Sequence, residues 1–179
     1  MKVQRFSEHR AMPWANGLGT SYEVASDRNA DGKWTWRVAI APVVLDGPFS
    51  KLPGVDRELV VIEGNRMVLE VDGESVECLP GRVIRFSGDS ATIARLVDRP
   101  VVDLGLMTVR DSVIGSMVVI ADVGDVNESD VIVAVGEAVF EDKNGKHYIL
   151  RSKDALLDVR GHQLALLGGL AIAMHVKAL

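Results

Sequence analysis

Trp34-Thr35-Trp36-Arg37-Val38-Ala39-Ile40-Ala41 is the stretch on which the fold class turns. Taken two at a time, Trp34, Trp36, Val38 and Ile40 fall on one side, and Thr35, Arg37, Ala39 and Ala41 on the other, which is the period of an extended strand. The first side is bulky and apolar. The second is small apart from one guanidinium, so Arg37 has space around it, as a cavity-lining group would. A buried guanidinium is costly without a partner, and here that partner is either a protein carboxylate (Asp46, Asp56 or Glu23) or a carboxylate brought by a ligand, which the arginine fork fits in bidentate fashion.

The same period governs the rest of the chain. Runs at 38–45, 59–62, 67–71, 83–86, 101–106, 117–120, 131–135, 148–150 and 164–167 are rich in Val, Ile and Leu and are separated by Gly, Asp, Asn and Pro. Val71-Asp72-Gly73-Glu74 and Lys143-Asn144-Gly145-Lys146 carry tight-hairpin signals. Helix signals are confined to short turns near 49–52 and 153–157. Regular short strands with turn punctuation predict an all-β sandwich or barrel. All three tryptophans, all six prolines and three of four phenylalanines precede Arg110. Residues 1–110 are therefore expected to form a barrel carrying the pocket, and 111–179 a smaller barrel or sheet packed against it in one compact unit.

Composition removes several function classes. With 47% apolar and 25% charged residues the chain reads as an ordinary globular protein, and a net charge of −5 argues against nucleic acid. The longest apolar run, 164–174, is broken by Gly168-Gly169 and falls short of the roughly 20 residues that cross a bilayer, so no membrane partner is expected. The start Met1-Lys2-Val3-Gln4-Arg5-Phe6 lacks the apolar core of a secretory signal, and the lone Cys78 allows no internal disulfide. A cytoplasmic location is expected, with Cys78 as a small apolar filler. The acidic stretch 122–130 reads as a solvated loop without calcium-loop spacing. His9, His147, His162 and His175 are far apart and none has a ligand-spaced partner, so neither a metal nor a cofactor is expected.

Two loops hold the remaining chemistry. Asp46-Gly47-Pro48-Phe49-Ser50-Lys51-Leu52-Pro53-Gly54-Val55-Asp56-Arg57 sets two prolines and two glycines between apolar runs, too elaborate for a plain turn, and reads as the floor or rim of a pocket. Pro13-Trp14-Ala15-Asn16-Gly17-Leu18-Gly19-Thr20-Ser21-Tyr22-Glu23 offers glycines for close backbone approach and Asn16, Ser21 and Glu23 as polar groups. A phosphate cradle is excluded, since no Lys precedes a Ser or Thr there and no βαβ unit surrounds it.

These segments, with Trp34-x-Trp36-Arg37, Leu59 to Gly64, Met67-x-Leu69, Phe86-x-Gly88 and Asp103 to Met107, resemble in order and spacing the hallmark segments of the HutD/Ves family over most of the first 110 residues. The resemblance implies a cupin-like (RmlC-like) all-β protein with two barrel-like halves, without the metal-binding histidines of typical cupins. It also implies a part in bacterial histidine utilisation, through binding of a small acidic intermediate such as formylglutamate or urocanate that limits the pathway's expression or flux. Ala39 stands where the family often has Ser, Gly105 where it has Asn, Leu18 where it has Gly and Ser21 where it has Thr. The first two changes remove a hydroxyl and an amide from the expected pocket.

The leading expectation is a metal-free, cofactor-free protein that binds a small carboxylate through Trp14, Asn16, Trp36, Arg37, Phe49, Ser50, Asp56 and Arg57. Arg37 or Arg57 would clamp the carboxylate, Trp36 and Phe49 cover the stem, and Asn16 with Ser50 read polar substituents. A metal-independent enzyme, an isomerase or hydrolase with Glu23 or Asp56 as general base, is the alternative, and a protein-interaction module the third. Edge strands leave room for a homodimer without naming an interface.

Overall fold

The computed structural model describes residues 1–14, 17 and 19–179; Asn16, one of the expected ligand contacts, lies outside the described residues. In chain order the strands are β1 (Lys2–Gln4), β2 (Arg10–Pro13), β3 (Thr20–Arg28), β4 (Trp34–Val43), β5 (Gly47–Pro48), β6 (Val55–Glu63), β7 (Met67–Val71), β8 (Glu74–Cys78) and β9 (Ile84–Ser87). They continue with β10 (Thr92–Leu96), β11 (Val101–Val109), β12 (Val113–Ile120), β13 (Gly124–Asp125), β14 (Val131–Asp142), β15 (His147–Leu150), β16 (Ala155–Leu157) and β17 (Leu164–Ala178). The one helical element among the described residues is a 3-10 turn, Phe6–Glu8. No helix among them is long and apolar enough to cross a membrane.

The chain divides into two compact units, residues 10–114 with 177–179, and residues 1–9 with 115–176. The expected division at 110/111 differs at the amino terminus, because β1 pairs antiparallel with β16, Lys2 opposite Leu157, and so joins the later unit. That unit is a seven-stranded sheet ordered β1-β16-β14-β17-β12, with β13 on β17 and β15 on β14. Its core is Phe140, Leu150, Leu156, Leu164 and Leu166, all fully buried. The segment 153–157, expected as a helical turn, becomes strand β16, because Ala155, Leu156 and Leu157 pair with Val133, Ile132 and Val131.

The unit built on 10–114 is a sandwich of a six-stranded sheet, β2-β3-β4-β11-β6-β9, and a four-stranded sheet, β5-β10-β7-β8. The hairpin at Asp72-Gly73 forms as expected, with Val71 opposite Glu74 and both turn residues at positive φ, 50° and 88°. Val43, Leu59, Val61, Met67, Leu69, Cys78 and Ala94 are the core between the two sheets. Each apolar side chain that leaves water there contributes roughly 1.5–3 kcal/mol.

The β4 alternation is interrupted once. Trp36 lies opposite Asp27 and Trp34 opposite Arg28, so Thr35 is an extra residue that bulges. Trp34 therefore turns to the face of Ala39 and Met107, while Trp36 keeps the face of Val38 and Ile40.

The loop 46–57 is held at both flanks. Asp46 Oδ1 accepts from the Leu96 amide at 2.8 Å, Phe49 N–H donates to the Thr92 carbonyl at 2.9 Å, and Leu52 N–H to the Gly88 carbonyl at 2.8 Å. Gly88 N–H donates in turn to the Val55 carbonyl at 2.7 Å, and a Cβ at Gly88 would lie 2.5 Å from the Leu52 carbonyl and 2.8 Å from that of Val55. Gly88→Ala is therefore expected to lower stability by roughly 1–3 kcal/mol, as overpacking against backbone does, and to loosen the 50–55 loop. Thermal unfolding with amide exchange at Leu52 and Val55 reads both effects; an unchanged Tm would show that the loop is not braced there.

Candidate functional site

Register across the six-stranded sheet lays out the pocket face in rows. Met107 is paired with Arg37 on β4 and with Arg57 on β6, so the two arginines flank one methionine in a single row. Arg57 is in turn opposite Phe86 on β9. One step on, Glu23, Ala39, Gly105 and Leu59 form the next row, and beyond it Ala41, Asp103 and Val61 form a third. Ala39 and Gly105 are the smallest residues available. A cavity of about 240 Å³ opens over them. Trp14, Ser21, Arg37, Phe49, Arg57 and Asp103 supply its chemistry, and Ser50 and Leu52 of the braced loop close one side.

Trp14 is fixed by its own loop. Its Nε1–H donates to Ser21 Oγ at 2.7 Å, and its ring packs where Gly19 has no Cβ; an added Cβ would come within 2.8 Å of the indole.

The arginines are held by soft and aromatic surfaces. Arg37 lies 5.0 Å from the Trp34 ring and points Nη1 and Nη2 at the sulfurs of Met12 and Met107, 3.9 and 3.5 Å away, while its Nε is buried without a partner. Arg57 lies 5.0 Å from both Phe49 and Phe86 and reaches the Ser50 carbonyl at 3.4 Å. Neither forms a salt bridge within the described residues. Desolvation lowers the pKa of Arg37, partly offset by Glu23, and pushes Arg57 down to about 10, where nearby Asp103 opposes the shift and Arg37 adds to it.

Asp103 is the residue that sequence reading passed over. Only 4% exposed, it lines the cavity with Oδ2 buried and unpartnered. Burial drives its carboxyl up to about 7, against the pull of Arg57. The signal was an isolated Asp inside the apolar run Val101-Val102-Asp103-Leu104, which has no reason to be there structurally.

Five of the eight expected contacts, Trp14, Arg37, Phe49, Ser50 and Arg57, line the cavity. Two need correction. Trp36 is on the opposite face of β4, and Trp34 takes the aromatic place because of the Thr35 bulge. Asp56 alternates with Arg57, so it points away; it is exposed and pairs with Arg110 at 2.7 Å. Glu23, the other expected base, sits beside the cavity and is tied to Arg10 at 2.8 Å. Among the described residues no three His, Cys, Asp or Glu side chains gather as a metal would require. Cys78 is a buried filler whose thiol is pushed up to about 11 by burial.

The HutD family profile matches residues 6–173. The chain belongs to the HutD family. It is 34% identical over 110 residues to an uncharacterised 21.2 kDa protein of Pseudomonas putida encoded in the hutC 3′ region, covering 60% of this chain and 57% of that one. It is 35% identical over 107 residues to protein Ves of Citrobacter koseri, covering 57% and 56%. The chain thus spans little more than half the length of these curated relatives. HutD of Pseudomonas fluorescens SBW25, determined in a formate condition, superposes with a TM-score of 0.85 at 25% identity over 99% and 98% of the two chains. A cupin 2 conserved barrel domain protein of Leptotrichia buccalis shares the fold alone, with a TM-score of 0.62 at 8% identity over 98% and 96%. The all-β, cupin-like architecture of this HutD-family chain is accordingly built as sandwiched sheets.

A carboxyl whose folded pKa is raised holds a proton that the unfolded chain has already released. Between about pH 4 and pH 7 the folded state binds more protons, so stability falls as pH rises through that window and levels off above it. Asp103→Asn is expected to remove this slope and to be more stable than the parent at pH 8, by an amount on the order of 4 kcal/mol, with little gain at pH 4. Urea unfolding at pH 4, 6 and 8 measures it; parallel curves for the two proteins would contradict the assignment.

Proposed function

We propose that this chain binds a small organic carboxylate without a metal ion, and that its occupancy modulates histidine utilisation, the ligand being an intermediate of histidine degradation such as formylglutamate or urocanate. The observation that carries the reading is the row Arg37-Met107-Arg57: two guanidinium groups face one concave cavity with aromatic shelves and no ion-paired carboxylate of their own among the described residues. Two cations that raise each other's energy are stabilised by an anion entering between them, and the bidentate fork gives a carboxylate both charge and geometry. Phe49 and Trp14 cover an apolar stem, and Ser50 faces its polar substituents. The histidine-pathway assignment is carried over from the gene neighbourhood of the Pseudomonas putida relative and the HutD of Pseudomonas fluorescens.

A second reading, an acid–base enzyme, is favoured by one feature: the base would be Asp103 rather than Glu23 or Asp56, because a carboxyl titrating near 7 is poised for proton transfer. Deuterium incorporation into a bound carboxylate in heavy water would mark it, and its absence would leave the binding reading alone.

Calorimetry with formylglutamate, urocanate and short carboxylates tests the binding. At least one is expected to bind below millimolar, and Arg37→Ala and Arg57→Ala each to weaken it tenfold or more, about 1.4 kcal/mol, with Lys51→Ala as an unaffected surface control. Binding left intact in both arginine variants would sink the proposal.

A further inference from the structure

We propose that the cavity takes its organic anion together with one proton, held as the Asp103 carboxylic acid, which donates a hydrogen bond to a second oxygen of the ligand, one that Arg37 and Arg57 do not hold. This rests on the anion-binding reading above and adds the chemistry of the far end: the ligand is a dicarboxylate or another carboxylate bearing a distant oxygen acceptor.

The geometry has two poles. Asp103 and Met107 are four residues apart on β11, so the acid and the arginine row start from backbone positions about 13 Å apart, with Ala39, Gly105 and Leu59 in the row between them. A Cβ at Gly105 would meet nothing closer than the Glu58 carbonyl at 3.7 Å, so the space directly over Gly105 is open. Asp103 lines the cavity one residue pair across from Ala41, and its Oδ2 is buried with no partner among the described residues. A buried carboxyl in a cavity wall with an orphan oxygen lacks a hydrogen-bond partner that a ligand atom can supply.

The charges facing Asp103 decide its protonation when the site fills. From β6 comes Arg57, the one cation acting on it. From β8 comes Cys78, whose thiol is neutral below about pH 11. Arg37 of β4 lines the same cavity, Glu23 of β3 is engaged by Arg10, and Glu58 of β6 is engaged by Arg85 at 2.6 Å. An entering carboxylate claims Arg57 and brings negative charge into a space of low dielectric. Asp103 thereby loses its compensating partner and gains a like charge, both of which favour its protonated form. A neutral carboxylic acid then has one O–H to give, and it gives it to an oxygen. An ammonium or amide N–H at the far end would ask for the opposite, an ionised Asp103.

Isothermal calorimetry in buffers of different ionisation enthalpy tests this, with succinate, glutarate and adipate against 4-aminobutyrate, 5-aminovalerate and 6-aminohexanoate. The best dicarboxylate is expected to bind more tightly than the amino acid of equal length, to take up roughly half a proton or more per site at pH 7.5, and to lose up to about tenfold in affinity per pH unit between pH 7.5 and 9. Asp103→Asn, checked for folding by circular dichroism, is expected to lose both the proton uptake and the pH dependence, so that whatever affinity it retains is constant between pH 7.5 and 9. Binding without proton uptake, or tighter binding of the amino acids with proton release, overturns this inference and leaves the anion site standing. Failure of every carboxylate, formylglutamate and urocanate included, overturns the anion reading itself and this inference with it.

Discussion

Two like charges placed side by side on one face of a sheet are the constraint from which the pocket follows. Arg37 and Arg57 are in register through Met107, and each raises the cost of keeping the other charged. The fold offsets that cost without an ion pair among the described residues, through the more distant charges of Glu23 and Asp103 and through polarisable neighbours: Trp34 on Arg37, Phe49 and Phe86 on Arg57, and the sulfurs of Met12 and Met107. Such surfaces steady a guanidinium but do not neutralise it. The remaining electrostatic demand is left to whatever enters the cavity.

Space and rigidity come from separate devices. Ala39 and Gly105 keep the middle row low, so the hollow exists where two strands carry nothing larger than a methyl at adjacent positions. The loop 46–57 supplies the wall, and it is shaped in advance because backbone hydrogen bonds to Gly88 and Thr92, and the Asp46 carboxylate accepting from the Leu96 N–H, fix it at several points. A preorganised wall lowers the ordering entropy that binding would otherwise cost. Outside the wall, Asp56, Ser87, Asp89 and Arg110 form a solvated network that ties the loop's end to the sheet without taking part in the cavity.

Much of this was legible in the chain. Period-two patterning gave the strands, the small residues around Arg37 pointed to a cavity, and the density of turn residues marked 46–57 as a shaped loop. What patterning misassigned has local causes. The bulge at Thr35 is invisible to a strict alternation, and it exchanges Trp34 for Trp36 at the site. Asp56 and Arg57 are neighbours on a strand, so alternation itself separates them, and grouping them by the loop's composition set that rule aside. Asp103 was hidden for another reason: its importance lies in burial and in the nearness of Arg57, both of which are products of pairing β11 with β6, a contact between segments more than forty residues apart.

The central claim is that one organic anion sits between the two guanidinium groups. A crystal structure of the chain soaked with formate or a short dicarboxylate tests it most directly. Carboxylate density bridging Arg37 and Arg57 beneath Phe49 is expected, with both side chains directed into the cavity. Arginines turned outward with no density between them, or a cation held by histidines in that space, would contradict it.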